Sequence, residues 1–280
     1  MIAKKTNSPA NDMEALDASV IRSEFMPETN DICGVLIIHE SLDSTNRWLL
    51  DQLRQGRLDK GDVCLAESQT AGRGRQGKSW VSPANGGLYF SIAWSEQHDG
   101  GNIEAEACLP LAVAVAVADV LDELEVKDVK IKWPNDVLVG DRKICGILVE
   151  RIAGRTKNHW VIGVGLNLAD ACLQYDSSAL MATSLDKYMP DCLGHRNRIV
   201  AMLIESILES CSILFVRGAS AILPRWERMD FLKGKTVTVR KWNEVVLSGT
   251  VQGISDRGKL MMKTDAGVEL IDSGEVSVRF

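Results

Sequence analysis

The segment 66–80 reads AESQTAGRGRQGKSW, and it limits the architectures open to the rest of the chain. Its glycine, lysine and serine spacing fits both the phosphate loop of P-loop nucleotidases and the glycine fingerprint of dinucleotide-binding folds. Both folds place a helix directly after the loop, because the helix N-terminus holds the phosphates. Here Pro83, Gly86 and Gly87 follow, and the glycine pair would break a helix within a turn. The segment therefore predicts an anion-binding loop of another kind, which leads into a β-strand.

The loop still carries the groups that bind phosphate. Its glycines let the backbone turn tightly and present N–H groups to an anion. Arg73 and Arg75 add forked, permanent charges, and Lys78 adds a point charge. Because like charges this close repel one another, we expect the empty loop to be mobile and to become ordered around an anion. A solvated basic loop without a ligand would have the same composition.

Composition limits the class of protein. The chain has 280 residues, 45% of them hydrophobic, which predicts one catalytic domain with a full-sized core and a small appended module. The net charge is -6 and the chain has only one short basic cluster, in the loop, whereas binding to a phosphate backbone needs a concentrated basic face; nucleic acid is therefore not expected as a main partner. No uninterrupted apolar run is long enough to predict a membrane span or a signal peptide. Scattered cysteines without a CxxC pair predict reduced, buried thiols in a cytoplasmic protein rather than a zinc site.

Three regions follow one another along the chain. We predict a short N-terminal extension at 1–31, with one helix at Met13–Phe25, then a catalytic domain at 32–232. Its predicted strands are 35–39, 63–67, 88–94, 129–133, 137–139, 144–151 and 160–168, and its predicted helices are 44–55, 104–124, 196–215 and 221–229. Residues 233–280 contain five short alternating runs separated by turn signals such as Asp256–Gly258. This last region is therefore predicted to be a small barrel.

Five further segments fall in a characteristic order around the loop. They are Ser44-Thr45-Asn46, Lys132-Trp133-Pro134-Asn135-Asp136, RKICGILVE at 142–150, GVGLN at 163–167 and Ala182-Thr183-Ser184-Leu185. Together with the loop they resemble the signatures of the biotin protein ligase family, over roughly residues 33–280. The resemblance implies an α+β fold with a mixed β-sheet and flanking helices, similar to class II aminoacyl-tRNA synthetases. An SH3-like β-barrel would follow it.

The resemblance also implies a reaction in two steps. Biotin and ATP would first give biotinyl-5'-AMP and pyrophosphate; Mg²⁺ would accompany ATP, although the sequence shows no set of metal ligands. Biotin would then pass to a lysine of a biotin carrier protein, such as the carrier subunit of acetyl-CoA carboxylase. Residues 1–31 are too few for the winged-helix DNA-binding domain of bifunctional ligase-repressors, and they are net acidic. We therefore expect a monofunctional ligase without nucleic acid or membrane partners, active after removal of residues 1–30; a homodimer stays open.

The implied biotin site lies mainly at a helix start and in the loop. Ser44 and Thr45, which taken alone indicate a helix cap, resemble residues that bond the ureido ring of biotin. Gln69 resembles the amide that completes those bonds, because its paired donor and acceptor fit a cyclic urea. Gly146 and Gly163 would let the backbone approach a flat ligand, with tight strand packing as the alternative. The other residues predicted at the biotin site are Asn46, Arg73, Gly74, Arg75 and Lys143.

The resemblance gives Lys143 the central catalytic role. It would meet the biotin carboxylate and the α-phosphate, where a cation offsets the charge that builds up when a carboxylate attacks a polyanion. Arg75 and Lys78 would do the same over the triphosphate. Asp136 would accept a proton or orient the incoming lysine, unless it is only a turn residue. The other residues predicted to contact ATP are Trp80, Asn135, Asn167 and Arg279. Trp80 and Trp133 could instead be core residues.

Two other functions stay open at this point. A lipoate ligase or a related acyl transferase shares the superfamily chemistry, although Gln69 and the loop favour biotin. A second alternative is a non-enzymatic binding module built on the barrel, but the complete loop and Lys143 argue against it. The loop itself departs from many family members, which have arginine where this chain has Gln76 and Lys78. Lysine lacks the bidentate geometry of arginine toward phosphate, so the role of Lys78 is the least defined.

Overall fold

The structure is a computed structural model. It describes residues 13–97, 103–154, 156–172, 181–241, 244–274 and 276–279. The first twelve residues of the predicted N-terminal extension and the last residue of the predicted barrel lie outside the described residues.

A seven-stranded mixed sheet forms the centre of the catalytic region, as predicted. The strands are β1 (Leu36–Leu42), β2 (Val63–Gln69), β3 (Gly87–Gln97), β4 (Val129–Lys132), β5 (Asp136–Val139), β6 (Arg142–Ile152) and β7 (Lys157–Asn167). Their order is β1-β2-β3-β7-β6-β5-β4, in which β1 and β2 are parallel and the other neighbours are antiparallel. Strands β3 and β7 are almost continuously buried, because they lie in the middle of the sheet with both faces covered.

Helices cover both faces of this sheet. They are α1 (Ala18–Ser23), α2 (Pro27–Ile32), α3 (Thr45–Arg54), α4 (Ile103–Glu123), α5 (Arg196–Arg217) and α6 (Leu223–Arg228). Alternate residues of β2 face opposite ways, so Val63 and Leu65 join the main core with α4 and α5, whereas Cys64 packs under Leu49 and Leu53 of α3. Helix α3 connects the two parallel strands, and its N-terminus thereby comes to lie beside the loop that follows β2.

The N-terminal segment differs from the predicted single helix over Met13–Phe25. It forms two helices of six residues each, because Asp17 caps α1 and Pro27 begins α2. The backbone N–H of Leu16 donates to Glu67 Oε1 at 2.8 Å, at the end of β2. The side chains that this segment buries in the main core are Leu16, Ile21 and Phe25. These buried side chains argue against the expectation that residues 1–30 can be removed without loss, for the part from Met13 onward.

Residues 236–279 form a second sheet with five antiparallel strands, in agreement with the predicted SH3-like barrel. The strands are β8 (Thr236–Lys241), β9 (Glu244–Ile254), β10 (Leu260–Thr264), β11 (Gly267–Ile271) and β12 (Val276–Arg279), in the order β11-β10-β9-β8-β12. Its buried residues include Val237, Val239 and Met262. Trp133 attaches this sheet to the catalytic region, since its buried indole Nε1 donates to the carbonyl of Gly258 at 3.0 Å.

One helical segment, Cys192–Arg217, is long and apolar enough to cross a lipid bilayer by its length and composition. Its residues Ile199, Leu203 and Ile207 are fully buried in the main core, where the helix packs against α4. The sequence showed no uninterrupted apolar run there, because charged and polar residues recur along the segment. The buried core helix of a folded domain meets the same criterion as a membrane span.

The seven cysteines are free and buried, which agrees with the predicted buried thiols. Burial raises the pKa of each thiol; that of Cys64 rises to about 12 and that of Cys33 to about 11. Thiols with such pKa values stay protonated near neutral pH and react slowly.

Candidate active site

One cavity of about 400 Å³ opens between the start of α3, the loop after β2, strands β4 to β7 and the end of β12. It brings together every residue that the sequence predicted for biotin, ATP or catalysis. These are Ser44, Thr45, Asn46, Gln69, Arg73, Gly74, Arg75, Lys78, Trp80, Asn135, Asp136, Lys143, Gly146, Gly163, Asn167 and Arg279. The segments that resemble the family signatures therefore meet in one cavity.

The N-terminus of α3 forms one end of the cavity. Ser44 is the helix cap, as predicted, and its hydroxyl accepts from the backbone N–H of Arg47 at 3.5 Å. The amide oxygen of Gln69 accepts from the backbone N–H of Thr45 at 2.9 Å and lies 3.3 Å from its hydroxyl. The amide nitrogen of Gln69 donates to Ser82 at 2.7 Å. This end therefore holds a set of oriented hydrogen-bonding groups against the helix N-terminus.

Ser91 supports this end from below, and the sequence analysis missed it. It is fully buried in β3, and its hydroxyl donates to Thr45 Oγ1 at 2.8 Å or Asn46 Oδ1 at 2.6 Å. Asn46 in turn donates to Glu150 at 3.0 Å. A Cβ on Gly163 would lie 2.0 Å from Asn46 Oδ1, so only glycine fits there. A single serine inside an apolar strand was the available signal for Ser91.

A pair of glycines forms the floor of the cavity. Gly146 of β6 and Gly165 of β7 face each other in the strand ladder. A Cβ on either would lie within 2.7 Å of the indole of Trp80, which packs directly over them. Lys143 Nζ lies 5.1 Å from the centroid of that indole. Trp80, predicted to contact ATP, therefore forms part of the cavity lining, and Gly165 is a further site residue, which the sequence did not single out.

The loop after β2 folds back on itself as a closed hairpin. The N–H of Gly74 donates to the carbonyl of Lys78 at 2.7 Å, and the N–H of Trp80 donates to the carbonyl of Gly72 at 2.8 Å. Arg73 pairs with both carboxylate oxygens of Glu150, at 3.0 and 3.2 Å. No α-helix lies between this loop and β3 in the described residues, which excludes both phosphate-loop folds. Mobility of the empty loop stays a prediction.

Arg75 reaches from the loop to the second sheet. Its guanidinium donates to Asn135 Oδ1 at 3.2 Å and to the carbonyls of Ser273 and Gly274, just before β12. Burial lowers the pKa of Arg75 from its usual value, yet a guanidinium stays charged near neutral pH. Arg279, at the end of β12, lines the same cavity. The second sheet is therefore part of the site, and this contact of Arg75 was not foreseen.

Lys143 and Asp136 form an ion pair in the cavity wall, with Lys143 Nζ 2.5 Å from Asp136 Oδ1. The register between β5 and β6 shifts just after Val137 and leaves Ile144 without a partner, and such a bulge turns neighbouring side chains. Burial raises the pKa of Asp136, but the charges of Lys143 and Lys132 outweigh it and hold that pKa below its usual value. Asp136 is therefore ionised near neutral pH, which favours orientation of Lys143 over proton acceptance.

The two predicted asparagines are held by internal hydrogen bonds. Asn135 donates to the carbonyl of Ile147 at 2.7 Å, and the buried Asn167 donates to the carbonyl of Thr183 at 3.1 Å. Asn135 also accepts from Arg75. Both side chains thus fix the loops around the cavity while they line it.

Comparison with known proteins agrees with this geometry. Residues 38–167 match the biotin/lipoate A/B protein ligase family, and residues 233–279 match the biotin protein ligase C terminal domain. The chain is 33% identical over 248 residues to the bifunctional ligase/repressor BirA of Escherichia coli, covering 88% of this chain and 74% of that protein. It is 32% identical to the biotin--[acetyl-CoA-carboxylase] ligase of Paracoccus denitrificans, covering 84% of this chain and 96% of that protein.

A solved structure shares the fold of most of the chain. The biotin protein ligase from Aquifex aeolicus, in complex with biotin and ATP, superposes with a TM-score of 0.69 at 26% identity. The match covers 87% of this chain and 98% of that chain. Three findings agree: both regions match, the identity to curated relatives extends over most of their length, and the fold is shared. The chain belongs to the biotin protein ligase family.

Proposed function

We propose that the protein activates biotin with ATP to biotinyl-5'-AMP and transfers the biotin to a lysine of a biotin carrier protein, such as that of acetyl-CoA carboxylase. One observation carries the proposal: a single cavity has oriented hydrogen-bonding groups at one end, an apolar glycine and indole floor, and a cluster of cations at the other end. Biotin has the same three parts, in the same order, in its ureido ring, its hydrocarbon chain and its carboxylate.

The ureido end would be bound at the start of α3. A helix N-terminus offers N–H donors to the ureido oxygen, and Thr45 with Gln69 supplies paired donors and acceptors for the ring. In the structure Gln69 bonds Thr45 and Ser82, and a ligand without a urea could not replace any of these bonds that it displaces, at a cost of about 1–3 kcal/mol for each buried group left unpaired. This difference supports biotin over lipoate as the substrate.

Adenylation would take place at the cationic end. An oxygen of the biotin carboxylate attacks the α-phosphorus, a new P–O bond forms, and the bond to pyrophosphate breaks. Lys143 would lie between the carboxylate and the α-phosphate and offset their charge, while its ion pair with Asp136 fixes its position. Arg75, Lys78 and Arg279 would bind the phosphates from the loop and the second sheet.

Transfer would reuse the same geometry. The neutral ε-amine of the carrier lysine attacks the acyl carbon, the bond to AMP breaks and AMP leaves with the former α-phosphate, and the attacking nitrogen releases its proton to solvent water. Asp136 has a pKa held below its usual value, so we assign it the orientation of Lys143 rather than proton acceptance.

Mg²⁺ would accompany the nucleotide rather than occupy a cage of protein ligands. Among the described residues, no group of three or more histidine, cysteine, aspartate or glutamate side chains could hold a metal ion. Asp136 is a carboxylate that lines the cavity. Mg²⁺ usually keeps several waters and binds through one or two carboxylates and the substrate phosphates, which fits this arrangement. The buried thiols support a reducing compartment such as the cytoplasm for the reaction.

The direct test is incubation of the protein with ATP, Mg²⁺, biotin and a purified biotin carrier domain, followed by a streptavidin blot. We expect a labelled carrier that depends on ATP and on the target lysine of the carrier. Pyrophosphate release is measured in parallel with biotin and with lipoate. Release with lipoate and none with biotin would replace the proposal by a lipoate ligase, and biotin binding without any release would indicate a binding module.

A further inference from the structure

Two buried serines lie directly behind the cavity at the start of α3. Ser91 of β3 is fully buried, and Ser82, in the loop before β3, is 4% exposed. Ser91 contacts Thr45 and Ser82 contacts Gln69, and both of these partners line the cavity. A hydroxyl group has a single proton, so the direction in which each serine donates decides whether its partner donates or accepts.

Asn46 sets the direction of the hydrogen bond at Ser91. The amide nitrogen of Asn46 donates to the carbonyl of Leu148 at 3.2 Å and to Glu150 Oε2 at 3.0 Å. Because a backbone carbonyl can only accept, the amide oxygen of Asn46 is the atom that faces Ser91. That oxygen lies 2.6 Å from Ser91 Oγ, and two acceptors so close would repel each other. Ser91 therefore donates its proton to Asn46.

The hydroxyl of Thr45 is oriented in turn by Ser91. Thr45 Oγ1 lies 2.8 Å from Ser91 Oγ, whose own proton is already used, so Thr45 donates to Ser91. Gln69 Oε1 is a more distant acceptor at 3.3 Å, and it already accepts from the backbone N–H of Thr45 at 2.9 Å. Thr45 Oγ1 therefore presents lone pairs, rather than its proton, to a ligand in the cavity.

Ser82 orients Gln69 in the same way. The hydroxyl of Ser82 lies 3.3 Å from the carbonyl of Trp80, which can only accept, and 2.7 Å from Gln69 Nε2. Ser82 thus donates to the carbonyl and accepts from the amide nitrogen, which places the amide oxygen of Gln69 beside Thr45. Two acceptors, Thr45 Oγ1 and Gln69 Oε1, therefore lie 3.3 Å apart at this end of the cavity.

We propose that Ser91 is a positioning residue that determines specificity, because it holds the Thr45 hydroxyl as an acceptor and so selects a ring that carries N–H donors. The inference rests on the proposed binding of biotin and adds a residue that acts through Thr45. Each ureido nitrogen of biotin carries one N–H, which suits an acceptor. A ring with oxygen or sulfur at that position would place its lone pairs against Thr45 Oγ1 and bind less tightly.

The test compares biotin with its two cyclic carbamate analogues, in each of which one ureido N–H is replaced by a ring oxygen. Calorimetric titration of the full chain without ATP gives the Kd of each compound. The discrimination is the Kd of an analogue divided by the Kd of biotin. The variants are Ser91→Ala, Thr45→Val and the double variant. Ser95→Ala is the matched control, because Ser95 is a buried serine of the same strand whose hydroxyl donates to Asp59 at 3.4 Å.

We expect the wild type to discriminate against one of the two carbamates about tenfold or more. Ser91→Ala lets the Thr45 hydroxyl turn its proton toward the ring oxygen, so this discrimination should fall to about threefold or less. Thr45→Val removes the acceptor and should lower the discrimination equally. Adding Ser91→Ala to Thr45→Val should change it no further, because Ser91 acts through Thr45. Ser95→Ala should keep the wild-type discrimination.

A purely structural role for Ser91 would give a different pattern. Ser91→Ala would then weaken biotin and the carbamates by the same factor, and the unchanged discrimination would overturn the inference. If the melting temperature shows that Ser91→Ala does not fold, the other proteins still decide. Equal affinity of the wild type for biotin and both carbamates, or wild-type discrimination in Thr45→Val, would also overturn it. Absence of biotin binding by the wild type would overturn the proposed function and, with it, this inference.

Discussion

Replacing Lys143 by alanine tests the assigned chemistry most directly. The change removes the ammonium that lies 2.5 Å from Asp136 Oδ1, in a pair of which less than a third of either side chain is exposed. Two unit charges about 4 Å apart interact by about 4 kcal/mol at an effective dielectric constant of about 20. Without the ammonium, Asp136 and the biotin carboxylate would repel each other across the reacting centre. Loss of one preorganised group of this kind costs about 10²–10³ in rate.

We therefore expect Lys143→Ala to form biotinyl-adenylate about 10²–10³ times more slowly. The assay is single-turnover formation of biotinyl-adenylate, with the melting temperature as a check on folding and Lys130→Ala as a surface control. Asp136→Asn in the Lys143→Ala background removes the remaining repulsion and should restore about tenfold of the rate. A near-native rate in Lys143→Ala, or a double variant as slow as the product of the two single losses, would refute the assigned roles.

Three further predictions concern neighbouring contacts. Glu150→Gln weakens the ion pair with Arg73 that holds the loop closed, so trypsin should cut the ligand-free variant at Arg73 faster than the wild type. Biotin together with a non-hydrolysable ATP analogue should protect this site. Equal rates of cleavage in the variant and the wild type would contradict the prediction. Gly163→Ala places a Cβ 2.0 Å from Asn46 Oδ1, so the asparagine must move, and the biotin Kd measured by calorimetric titration should rise about tenfold or more. An unchanged Kd would argue against the contact between Gly163 and Asn46. Compared with deletion of residues 1–12, deletion of 1–30 removes three more side chains that are apolar and buried, worth about 5 kcal/mol together, and should unfold the protein. Equal melting temperatures of the two truncated proteins would disprove it.

Much of the fold and of the candidate site could be predicted from the sequence, because the signals are local. Alternating apolar residues and turn signals gave the five short strands of the C-terminal sheet, and Ser44 before an amphipathic run gave the start of α3. The family signatures gave the residues of the cavity in chain order, from Ser44 to Arg279. The glycine pair Gly86 and Gly87 excluded a helix after the loop, and a strand begins there.

Other features depend on contacts between residues far apart in the chain, and local pattern does not encode them. The N-terminal segment buries Ile21 and Phe25 in the main core, although its polar composition had indicated an extension. Ser91 supports Thr45 and Asn46 only because β3 passes beneath the start of α3.

The sequence by itself determined the family, the order of the elements and the list of candidate site residues, since each of these follows from residue types at short spacing. Only the tertiary structure decided how those residues act together. It paired Lys143 with Asp136, brought Arg75 to the carbonyls before β12, and buried Lys132 beside Asp136 and near cations from β6, β12 and the loop. The physical reason is that the charge state of a side chain depends on burial and on every neighbouring charge, and strand packing sets both.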